Sequence, residues 1–160
     1  MKKFTFQIVL LLAVIFGALY FYKFQSVPSV PFLPQSTTVR ILTINSSKLK
    51  VEIADNKDKR SKGLSGKEKL ATDEGMLFIF EKAVKPSFWM KGLTFPLDFV
   101  WIRGIEVLET TENVQPPLPG QADESLPIYK SSADIDKVLE VNGGSVNKLN
   151  IKTGDEVKLE

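Results

Sequence analysis

The 160-residue chain carries 21 Lys plus Arg against 19 Asp plus Glu, and it has no His and no Cys. Those absences exclude a Ser-His-Asp triad, a thiol nucleophile, a disulfide framework and the usual zinc sites. Lys2, Lys3 and Lys23 flank one apolar run; without them 18 basic residues face 19 acidic ones, a net of −1 with no clustered basic face for nucleic acid.

The apolar run is FTFQIVLLLAVIFGALYFY, residues 4 to 22, with only Thr5 and Gln7 polar. Nineteen helical residues extend about 28 Å, close to the roughly 30 Å hydrocarbon core of a bilayer. A cleaved signal peptide has a shorter apolar core and ends at small residues. This run ends in Leu19-Tyr20-Phe21-Tyr22, so residues 1–23 read as an uncleaved transmembrane signal anchor. The preceding lysines predict a cytoplasmic N-terminus and a single-pass protein whose C-terminal domain is extracytoplasmic, at the cell membrane. Residues 24–37 follow as a linker in which Pro28, Pro31 and Pro34 recur with the period of polyproline II. A semi-rigid spacer and a disordered tether both fit that composition.

From residue 38 to 160 the pattern is mainly β. VRILTI and KLKVEIA read as a hairpin about NSS, with Leu49, Val51 and Ile53 alternating against charged neighbours. NKDKRSKGL, residues 56 to 64, reads as a short helix capped by Asn56 and ended by Gly63. GMLFIF, 75 to 80, is apolar on both faces, as an interior strand is. Strands are expected at 87 to 91, 97 to 102, 105 to 109 and 137 to 142. QPPLPGQADESLP, 115 to 127, reads as an exposed loop, Ser145 as the start of a capped helical turn, and EVKLE as a closing strand. Many short strands with few helices predict a β-sandwich or barrel.

No phosphate-cradling motif is present and the acidic positions do not follow an EF-hand loop, so no metal or cofactor is expected. Proton transfer, if the chain catalyses anything, falls to carboxylates, lysine or tyrosine. FWMKGLTFPLDFVWI, 88 to 102, concentrates the chemistry. Alternation puts Phe88 and Met90 on one face and Trp89 and Lys91 on the other, where an indole and an ammonium suit each other. Trp89 reads equally as core or as a stacking surface. Asp98 shares a face with Val100 and Ile102, so its carboxylate needs a partner. Arg60, Lys91 and Arg103 are the cations considered for it, and capping of backbone N–H groups is the structural alternative. Glu140 alternates opposite to Leu139 and Val141 and reads as solvent-facing, or as the second member of an acid/base pair with Asp98.

The order RSKGLS, GMLFIF, FWMKGLTFPLDFVWI, KVLEVNGGS and IKTGDEV resembles the domain-of-unknown-function family 192 over residues 38 to 160. The resemblance implies a jelly-roll-like β-sandwich with one or two short helices, and no established reaction. Two departures from its pattern stand out. Lys91-Gly92-Leu93 replaces a usual Lys-Asn-Thr, and Gly63-Leu64-Ser65 replaces a usual Gly-Leu-Met.

The expectation is therefore a membrane-anchored, extracytoplasmic domain that binds a small polar or saccharide-like envelope ligand through Arg60, Trp89, Lys91 and Asp98. The alternatives are a hydrolase working through Asp98 and Glu140, and a non-catalytic docking module using the 115 to 127 loop.

Overall fold

The structure is a computed structural model that describes residues 2–24 and 37–160, with side chains over 11–22 and 37–160. Two compact units divide at Ser36/Thr37. The first contains helix α1, Lys2–Phe24. Its described side chains cover 12 residues, about 18 Å of helix at 1.5 Å per residue. Among the described residues no helix is long and apolar enough to cross a membrane. The anchor expected over 4 to 22 lies partly outside the described side chains, and the Pro28-Pro31-Pro34 spacer lies outside the described residues altogether.

The second unit is mainly β. Its strands are β1 Val39–Ile44, β2 Ser47–Ala54, β3 Glu74–Val84, β4 Leu97–Arg103, β5 Glu106–Val114, β6 Ile135–Asn142 and β7 Val157–Leu159. Two short helices, α2 Lys57–Lys62 and α3 Ser145–Lys148, accompany a 3-10 turn at Asp123–Ser125. The expected hairpin is present as β1 against β2, turning through Asn45 at a left-handed φ of 53°. Asn56 caps α2 as expected, accepting from the Lys59 N–H at 2.9 Å.

All seven strands belong to one sheet in the order β5-β4-β6-β3-β2-β1-β7, the barrel alternative of the strand pattern and not the two face-packed sheets of the jelly-roll-like sandwich that the resemblance implied. Every neighbouring pair is antiparallel except β2 with β3, which the α2 crossover joins in parallel. The sheet curls until its edges meet. A bridge pairs Glu106 with Glu156, and backbone bonds of 2.7–2.9 Å join residues 105–107 to 154–157.

Curling explains why both faces of the central strands are apolar. One face points inward, and every strand contributes to its core, among them Leu42, Val51, Leu77, Val100, Val107, Leu139 and Val157. The outer face carries a second core of Met76, Phe78, Leu97, Phe99, Trp101 and Val138. It is closed by Leu64, Phe88, Met90 and Leu93 from the connecting segments. Residues 87 to 91, expected as a strand, form a flap with a single bridge, Phe88 to Tyr129. Its Phe88 and Met90 side chains bury downward on the sheet's outer face, while Trp89 stays half exposed. Phe88 sets its ring edge-on to Phe78 and Trp101 at 5.0 and 5.6 Å.

Candidate functional site

Two segments rise over the outer face with a gap between them. One is α2 and its exit, residues 60–65; the other is the flap, residues 86–93. They are joined at one end by a 3.1 Å bond from the Gly66 N–H to the Gly92 carbonyl. The gap is a cavity of about 400 Å³ lined by Arg60, Lys62, Phe80, Trp89, Lys91 and Glu140 among others. Arg60, Trp89 and Lys91, three of the four expected ligand-binding residues, therefore share one open site.

Arg60 is held by its surroundings. Its Nη1 donates to the carbonyls of Asp55 and Ile79, both at 2.8 Å, and the guanidinium lies 5.2 Å from the Phe80 ring centroid. No hydrogen bond engages its Nε or Nη2 among the described residues, so those donors remain for a ligand. On the flap, Phe88 and Met90 face the core while Trp89 is 47% exposed, the alternation expected. Lys91 Nζ sits 5.4 Å from the Trp89 ring centroid and pairs with Asp123 at 2.5 Å. Both partners are about half exposed, a setting in which an ion pair contributes only about 0–1 kcal/mol and exchanges readily.

Glu140 lies at the base. Its neighbours across the sheet are Met76 on β3 and Phe99 on β4, both in the outer core. The carboxyl is not solvent-facing as its alternation suggested, because the flap covers the face to which it points; only 4% of the residue is exposed. It has no hydrogen-bond or ion-pair partner among the described residues. Burial alone pushes its pKa up to about 8, so it is mostly a neutral acid at neutral pH.

Asp98 stands apart from this site. Its Oδ1 accepts from the N–H groups of Asn113 at 2.7 Å and Gly144 at 3.1 Å, and its Oδ2 from Val146 at 2.8 Å. The residue is fully buried on the inner face. None of Arg60, Lys91 or Arg103 partners it; three backbone donors do. Ser145 does not cap α3 with its own side chain, and Asp98 meets the free N–H groups at that helix start instead. Asp98 and Glu140 leave opposite faces of the sheet, so they do not form a two-carboxylate acid/base site across one substrate. The 115–127 loop reaches the site's rim through Asp123 and presents Leu118, which is 73% exposed.

Among the described residues no group of acidic side chains could hold a metal ion. The one polar element the alternation misplaced is Glu140. The signal that could have corrected it is the run of aromatics at 88 to 95, which needs an apolar face to cover.

A search of curated proteins returns no match. Two solved structures share the fold. A protein from Sinorhizobium meliloti 1021, described as a "putative transcription regulator", is 28% identical with a TM-score of 0.70, covering 78% of this chain and 95% of that one. A protein of unknown function from Novosphingobium aromaticivorans is 26% identical with a TM-score of 0.69, covering 79% and 89%. The family model DUF192, described as "Uncharacterized ACR", matches residues 40–159, and the chain belongs to that family.

Proposed function

We propose that residues 38–160 are a binding module for a small polar, saccharide-like ligand, held at the extracytoplasmic side of a membrane by residues 4–22. Glu140 carries the binding reading: it is a largely buried residue whose carboxyl has no protein partner among the described residues and faces an open cavity walled by a half-exposed tryptophan. No side-chain polar atom is both fully buried and unsatisfied among the described residues, so the Glu140 oxygens open to the cavity, where an incoming polar group can meet them. Trp89 supplies an aromatic face for a ring to stack on, and Arg60 and Lys91 supply donors. Asp98 contributes by fixing the turn at 143–146 and not by touching ligand.

The anchor reading is supported by the character of α1. Each of its described side chains is exposed, among them Leu11, Val14, Phe16 and Phe21. A helix apolar on all sides suits a lipid surrounding and not water. A docking module is the weaker reading, since Leu118 is a single exposed apolar residue of a kind common on protein surfaces.

The test is fluorescence of the full chain in a detergent without a sugar head group, titrated with a panel of neutral and charged monosaccharides. At least one should shift the emission, and Trp89→Ala should abolish the shift while near-ultraviolet circular dichroism stays native. A panel with no response would remove the proposal. Membrane pellets washed with alkaline carbonate should retain the chain; release into the supernatant would remove the anchor.

A further inference from the structure

The cavity's charges are unevenly distributed. Three cationic side chains line it, Arg60 and Lys62 from α2 and Lys91 from the flap, while Glu140 is its only acidic lining residue. The β3 and β4 neighbours of Glu140, Met76 and Phe99, are uncharged, as is Phe78 in the lining. Two acids beside the lining are already engaged, Asp123 with Lys91 and Asp55 with Lys59. While Glu140 holds its proton, the site is net positive, with a buried O–H donor at its base.

We infer that the ligand is an anion, a carboxylate or phosphate on a small hydroxylated ring. The Glu140 acid donates a hydrogen bond to it, while Arg60 and Lys91 flank its charge. This rests on the binding reading above and adds the ligand's charge to it. An O–H to anionic oxygen bond is short and about twice as strong as a neutral one. The free Nε and Nη2 of Arg60 suit the same group. Lys91 reaches it by leaving Asp123, an exchange that costs little at a half-exposed pair.

A cationic or neutral ligand would behave differently. An ammonium group would meet three like charges at the lining and would need Glu140 ionised, so its affinity would rise with pH. A neutral sugar would use Glu140 but gain nothing from the cations. For the anion, ionising Glu140 removes the donor and adds a repelling charge, so affinity is full at low pH and falls as pH rises through about 8.

Calorimetry on the full chain in octaethylene glycol dodecyl ether separates these cases, with glucuronate, glucose 6-phosphate, glucose and glucosamine as probes. Both anions should bind at least tenfold more tightly than glucose or glucosamine. Glucuronate should bind about tenfold more weakly at pH 9 than at pH 6.5, the factor set by a group titrating near 8. Glu140→Gln, which keeps a donor at that position without a titrating proton, should bind glucuronate equally at pH 6.5 and pH 9. Lys91→Gln, altering a half-exposed residue, should weaken both anions severalfold.

Glucose or glucosamine binding as tightly as the anions would overturn the inference and leave the binding reading standing. A pH 9 loss that persists in Glu140→Gln, or an anion affinity indifferent to Lys91→Gln, would also overturn it. Silence from all four probes would overturn both.

Discussion

Asp98 and Glu140 sit one register step apart on neighbouring strands, where Asp98 pairs with Val141 and Phe99 with Glu140. The sheet sends them to opposite faces, and their surroundings decide their roles. Asp98 meets three backbone N–H groups, and hydrogen bonds to a charged acceptor contribute roughly 1.5–3 kcal/mol each. Glu140 meets aromatic and thioether surface and keeps its proton. Its folded pKa of about 8 lies above the unfolded value of 4.5. Between those values the folded state binds more protons than the unfolded chain, so stability falls as pH rises across that window, and the loss is complete above about 8. Glu140→Gln removes that titration. At pH 8.5, urea unfolding should find the variant more stable than the parent by several kcal/mol, with the gap nearly closed at pH 4.5. A constant gap between the two pH values would show that Glu140 titrates normally.

At the scale of elements, the site exists because two connections, not two strands, cover the outer face. The α2 crossover and the flap meet where Gly92 adopts a φ of +70° and a Cβ built on it would lie 2.2 Å from Ser65 Oγ. Gly92→Ala should therefore cost about 1–2 kcal/mol, combining left-handed strain with a forced rotation of Ser65. Adding Ser65→Ala should return part of that loss but leave the backbone strain, a coupling that a double-mutant unfolding cycle reads directly. Simple additivity would mean the contact is not felt.

The same connections mark what could be read from residues alone. β1, β2, β4 and β6 were legible because apolar residues alternate or run through them, and α2 because Asn56 and Gly63 bracket it. The flap was not, since Phe88, Trp89 and Met90 have strand-like composition and only tertiary cover tells a strand from a lid. Glu140 was misplaced for the same reason: alternation names two faces but not which of them another segment covers. Asp98's need for a partner was evident, while the identity of three backbone donors from residues 113, 144 and 146 depends on how distant loops return.

On the scale of the whole molecule, the sheet is continuous except at one seam. β4 and β6 share six paired positions, whereas the β5 and β7 edges meet at one bridge reinforced by three backbone bonds. Those bonds come from the N–H groups of Val107, Gly154 and Val157. Few bonds join the seam, so it opens at a lower free energy than the central strands. Amide hydrogen exchange should find Val107 and Val157 exchanging well before Leu139 and Val141, although all four side chains are buried. Equal protection would mean the cylinder opens only by global unfolding. The seam also separates two kinds of motion. The cavity floor comes from Phe78 and Phe80 of β3 and Glu140 of β6, two strands at the middle of the sheet order and away from both the β5 and β7 edges, so the barrel can part along its length while the pocket floor keeps its shape.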